Sequence, residues 1–131
     1  MGAYLSFDQL VLREGTRWDE GLGVFARAGY ADPDVNRVAW FWSAGLEYAG
    51  PIPRRGGDVL GFGVYQAIGS SVYRDAIDPR FERETGIELY YAARVLGWLV
   101  VTPDLQVIVD PGATGQAGDV FLATLRLRTT F

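Results

Sequence analysis

The residues of this sequence that could do chemistry are seven charged side chains set singly among apolar neighbours: Arg27, Arg94, Arg126 and Arg128, with Glu47, Glu88 and Asp104. Guanidinium and carboxylate groups each form several hydrogen bonds, and a mixed-sign array creates a transverse field that orients a neutral polar solute. Tyr90 and Gln106 belong to the same polar faces, and Phe41 joins them if it points the same way. Such contacts are weak and numerous, which suits a surface that a solute must leave as readily as it reaches.

Sharper chemistries find no support. The chain has no His and no Cys, so a Ser-His-Asp enzyme, a His-zinc site, a thiolate metal site and a disulfide framework are all excluded. Glu82, Glu84 and Glu88 could be read as paired glycosidase carboxylates, but Glu84 and Glu88 fall on one strand face with no sign of burial. Asp32-Pro33-Asp34-Val35-Asn36 opens like a calcium loop. Arg37 then occupies the place of the required Gly and Ser43 that of the distal Glu, so a hairpin turn is the better reading. Gly61-Phe62-Gly63 lacks a third glycine and a following helix, which removes a phosphate cradle. No cofactor is expected. The net charge of −4 argues against nucleic acid, whose binding needs a basic surface.

What must position these residues is an alternation of period two, in segments of about ten residues separated by Gly, Pro and Asp clusters. Over 120–131 one face reads Phe121, Ala123, Leu125, Leu127, Thr129, Phe131, and the other carries Arg126 and Arg128. Over 99–110, Leu99, Val101, Leu105, Val107 and Val109 alternate with Thr102, Asp104, Gln106 and Asp110, with Pro103 marking a bulge or a missing ladder bond. Over 84–96, Ile87, Leu89, Tyr91, Ala93 and Val95 alternate with Glu84, Glu88, Tyr90 and Arg94. Further strands are expected at 37–49 and 24–30, and at 58–67 and 4–13 with a register open by one residue, making seven. Loops at 32–36, 69–83 and 110–119 fall at one end of the strands. Connections at 15–20 and 50–57 and the tight turn Leu96-Gly97-Trp98 fall at the other. No helical period is convincing.

Two architectures share this pattern. A soluble β-barrel or sandwich would turn the apolar face inward, around a small apolar ligand, whereas a membrane barrel turns it to lipid and lines a hydrated lumen with the polar face. The high hydrophobic share, 49%, excludes disorder but serves either. Strand length, aromatics near strand ends (Tyr30, Tyr48, Phe131, Trp98) and both signs of charge at mid-strand favour the membrane barrel. There is no run of 18 apolar residues and no signal-peptide layout at the start.

The runs GLGVFARAGYADPDVNRVAWFWSAGLEYAGPIP, DVLGFGVYQAIGS, ETGIELYYAARVLGWLVVTPDLQVIVDPG and FLATLRLRTTF resemble the C-terminal part of the carbohydrate-selective porins of the OprB family. That resemblance, carried by the ELYY and PDLQ-x-I-x-x-P blocks in order, implies an outer-membrane barrel of sixteen strands whose lumen passes sugars. In such a lumen the polar-face residues Arg27, Glu47, Glu88, Tyr90, Arg94, Asp104, Gln106, Arg126 and Arg128 are the expected substrate contacts. Phe131 resembles the signal read by the outer-membrane assembly machinery, although Thr129 stands where the family usually has an aromatic. Bacterial outer-membrane barrels have an even number of strands, so seven are expected to be a transmembrane β-barrel segment, closed by missing strands or other chains. A fragment with no transport of its own is the remaining alternative.

Overall fold

The computed structural model describes residues 1–14 and 20–131, and contains seven strands among them. They are β1 (Gly2–Arg13), β2 (Gly21–Ala31), β3 (Val38–Ala49), β4 (Val59–Gly69), β5 (Arg83–Leu96), β6 (Leu99–Val109) and β7 (Val120–Thr129). All pair antiparallel with their sequence neighbours in the order β1-β2-β3-β4-β5-β6-β7, so the sheet is an open meander whose β1 and β7 edges do not meet. Strands of 10 to 14 residues match the length needed for a tilted bilayer crossing. The expected connection at 15–20 lies, up to residue 19, outside the described residues.

The open registers are resolved by the pairing. Leu60, Phe62 and Val64 face Tyr48, Leu46 and Ala44 on β3 and Tyr91, Leu89 and Ile87 on β5, so the apolar row runs unbroken across the sheet. On β1, Leu5 and Phe7 face Ala28 and Ala26 and belong to that row, until a register shift between Leu10 and Leu12. At Pro103 there is no bulge. The β5–β6 register is the same before and after it, Tyr90 facing Asp104 and Ala93 facing Val101, and only the ladder lapses between them.

No second layer covers the apolar face: Leu125 and Leu127 are 64% and 66% exposed, and Leu89 45%. The inward packing that a soluble sandwich requires is therefore not present. Among the described residues the buried apolar side chains are Ala39, Phe81 and Ala113, and Phe81 and Ala113 lie in connections at the long-loop end. That end is tied together. Within 69–83 the structure adds a short helix that the sequence period did not reveal, α1 (Ser71–Ala76), whose N-cap Ser70 accepts from the Tyr73 N–H and donates to the Pro33 carbonyl at 2.7 Å. Arg37 lies over the rings of Tyr73 and Phe81, and the Glu82 N–H donates to the Ala113 carbonyl at 3.0 Å. The opposite end is shorter, with Leu96 facing Leu99 across a two-residue turn.

Candidate functional site

Alternation on β3, β5, β6 and β7 places Glu47, Glu88, Tyr90, Asp104, Gln106 and Arg126 on the face opposite the apolar row. The pairing then brings all six into one network. Arg126 donates from Nη2 to Asp104 Oδ2 at 2.7 Å and to Glu88 Oε1 at 3.3 Å. Gln106 Nε2 bridges the same two carboxylates, at 3.3 Å to Asp104 and 3.5 Å to Glu88. The Arg126 guanidinium also lies over the Tyr90 ring, and the Tyr90 hydroxyl donates to Glu47. Asp104 is 2% exposed and is held by two donors, as a buried carboxylate must be.

The chemistry of this patch is that of an acceptor-rich wall: two carboxylates, Asp104 and Glu88, share the Arg126 guanidinium, and a third, Glu47, is held by the Tyr90 hydroxyl. One oxygen each of Glu47 and Glu88 accepts no hydrogen bond among the described residues. Tyr90 is itself wall, because its ring lies where a Cβ on Gly61 would stand, so only glycine allows this approach. Tyr65 occupies the corresponding space over Gly86 and stacks with Phe41 at 6.1 Å between centroids. Phe41 therefore does share the polar face.

Three of the expected residues stay apart. Arg27 lies over the Phe25 ring, 5.5 Å from its centroid, and makes no ion pair among the described residues. Arg94 and Arg128 both face Val100, close to the Trp98 turn, and the Arg94 stem packs against Gly57. These two cations stand at the short-turn rim. Phe131 follows β7 and is fully exposed.

Two further polar sites lie outside that network, of which Asp58 was not singled out by the sequence pattern. Asp58, 1% exposed beside the β3–β4 turn, accepts from Arg55 Nε at 2.5 Å, the Tyr91 hydroxyl at 2.5 Å and the Arg94 N–H at 2.9 Å. Burial pushes its carboxyl up, but the Arg55 guanidinium, the Tyr91 hydroxyl and the Arg94 amide together pull it below the usual carboxylate value. The hint was a polar-tipped Tyr91 on an otherwise oily face. Glu84 accepts from the Tyr65 hydroxyl at 2.6 Å and the Gly112 N–H at 2.6 Å, strapping the 110–113 segment to the wall. Both Glu84 oxygens are thus engaged in holding the loop. The acidic loop at 32–36 is a turn, with Asp32 accepting from the Asp34 N–H through its side chain and from Asn36 through its carbonyl.

The family described as carbohydrate-selective porins, OprB family, matches residues 1–131. Porin B of Pseudomonas aeruginosa is 30% identical over 128 aligned residues, covering 85% of this chain and 28% of that protein. A high-pH structure of Pseudomonas putida OprB superposes with a TM-score of 0.88 at 26% identity, covering 99% of this chain and 35% of its own. The chain thus spans about a third of the length of the proteins it matches.

Proposed function

Since the chain belongs to the carbohydrate-selective porins of the OprB family, proteins of the outer membrane, we propose that it forms part of the wall of a channel through which carbohydrates diffuse passively. The observation that carries this reading is the opposition of the two sheet faces: a connected network of Glu47, Tyr90, Arg126, Asp104, Glu88 and Gln106 on one, an uncovered apolar surface on the other. A surface with Leu125 and Leu127 two-thirds exposed needs lipid, and a face with buried Asp104 and half-exposed Arg126 needs water.

The mechanism is steric sieving combined with weak hydrogen bonding, without energy coupling. Free carboxylate oxygens on Glu47 and Glu88 accept from sugar hydroxyls, while Arg126 offers its remaining N–H groups. The exchange of wall hydrogen bonds for water hydrogen bonds keeps each contact near 1 kcal/mol, roughly the net worth of one such bond, so a solute is oriented without being trapped. Arg27 adds an exposed cation on the same wall, and Arg94 and Arg128 place positive charge at the rim. In a barrel of this type short turns face the periplasm and long loops the exterior, which puts the strapped cap of 32–36, α1 and 110–113 outside.

Because the sequence has no native cysteine, introduced ones report cleanly. In reconstituted vesicles, Glu88→Cys is expected to react with a charged, water-soluble thiol reagent and Leu89→Cys to resist it. The reverse pattern overturns the orientation. In planar bilayers, discrete conductance blocked by added sugar is expected, and its absence would overturn transport by a barrel containing this wall.

A further inference from the structure

Toward the long-loop end, the outward apolar face is interrupted by a connected polar row. Trp42, Gln66 and Thr85 stand in one row across β3, β4 and β5. Trp42 Nε1 donates to Gln66 Oε1 at 3.1 Å, and Gln66 Nε2 to Thr85 Oγ1 at 3.1 Å. Arg83 lies two residues along β5 on the same face, opposite Ile68, which in turn faces Trp40. It is exposed and makes no ion pair among the described residues. Beside it Ala3, Leu5, Ala28, Tyr30 and Trp40 line an open trough of about 290 Å³, walled at one end by the Tyr30 and Trp40 rings at 4.8 Å.

A cation on a lipid-facing surface is costly unless it finds an anion or water. Arg83 is the first residue of β5, and the Trp42–Gln66–Thr85 row lies two residues deeper, about 7 Å at strand rise. This is the depth of an interfacial aromatic girdle, which Tyr30 and Trp40 supply. Three features therefore coincide at headgroup level: an unpaired guanidinium, a hydrogen-bonded row in which the second Gln66 N–H and the Thr85 hydroxyl proton are still free to donate, and an open trough floored by small residues. From Arg83 to the trough wall at Trp40 is two strand spacings, about 10 Å, within reach of one lipid molecule.

We propose that this face binds a phosphate-bearing lipid of the leaflet on the long-loop side. Arg83 takes the phosphate bidentately, the Gln66 and Thr85 groups bond the polar head, and one acyl chain lies in the trough of Ala3, Leu5, Ala28, Tyr30 and Trp40. The proposal rests on the outward orientation of the apolar face, and its test separates the two.

The protein is reconstituted in phosphatidylcholine nanodiscs doped with bisphosphorylated lipid A or its dephosphorylated form, and the lipid retained after detergent exchange is counted by mass spectrometry. The phosphorylated form is expected in excess. Arg83→Ala is expected to cut that excess about fivefold, the worth of one basic side chain at a lipid surface, with Arg83→Lys restoring part of it and Gln66→Leu reducing it while the melting temperature is kept. Equal retention of the two forms, or an excess untouched by Arg83→Ala, overturns the proposal and leaves Arg83 as a side chain reaching for water. A nitroxide at Leu89→Cys reports on orientation separately. Contact with water there overturns both readings, whereas contact with lipid and no phosphate preference overturns the lipid site alone.

Discussion

At the residue scale, Arg126 decides how the polar wall is charged. It is the one cation shared by Asp104 and Glu88, and it covers the Tyr90 ring. Arg126→Ala is expected to leave the buried Asp104 with Gln106 alone and to lower stability by about 1–2 kcal/mol, a modest figure because the guanidinium is half exposed. Removing a positive charge also makes the wall more negative, so the reversal potential in a salt gradient should move toward cation selectivity. An unchanged potential would place Arg126 away from the permeation path. Gly61→Ala tests the wall differently: the new Cβ collides with the Tyr90 ring, and a loss of about 1–3 kcal/mol is expected from overpacking. Thermal melting reads it, and an unshifted midpoint would contradict the close approach. Asp104 and Glu88 were legible as polar-face residues. So was Arg126, but not its pairing with them, because Glu88 and Arg126 are 38 positions apart and nothing local pairs them.

At the element scale, the β3–β4 connection hangs on Asp58. Its carboxylate gathers Arg55, the Tyr91 hydroxyl and the Arg94 amide, and its own carbonyl receives the Gly50 N–H at 2.9 Å. The folded-state carboxyl lies below its ordinary value of 3.8. Asp58 therefore contributes its full stabilisation above that ordinary value, and the contribution is lost as pH falls from there through the lowered folded value. The protection factor of the Gly50 amide, its exchange rate relative to the intrinsic rate at each pH, should accordingly be high at neutral pH and fall in acid, and Asp58→Asn should remove this acid step. A step that persists in Asp58→Asn would belong to another group. The strands themselves were legible to within two or three residues at each end, since hydrophobic alternation is a local property. The helix α1 was not, because six residues held by a Ser70 cap and by Phe81 packing show no 3.6 period of their own.

At the scale of the whole molecule, the sheet is open, with β1 and β7 each presenting an unpaired edge and neither face carrying a second layer. The orientation proposed above makes opposite demands on the two faces. Leu89→Arg near the middle of the apolar row is expected to cost about 2–4 kcal/mol in lipid vesicles, whereas Thr124→Arg on the polar wall should cost close to nothing. Denaturant titration of the reconstituted protein measures both, and equal costs would remove the distinction between lipid and lumen faces.

By itself the sequence determined the strands, their number and the two-faced character of the sheet, because side-chain direction in a strand alternates with a period of two whatever lies next to it. It also placed the long and short connections at opposite ends, since each antiparallel turn reverses the chain. Only the tertiary structure decided which residues meet: Tyr90 with Glu47 across 43 positions, Asp58 with Tyr91 across 33, Trp42 with Gln66 and Thr85 on the outward face. Those adjacencies depend on the register of each hairpin, fixed by ladder hydrogen bonds and by large rings seated over glycines on the neighbouring strand, and no single segment carries that information.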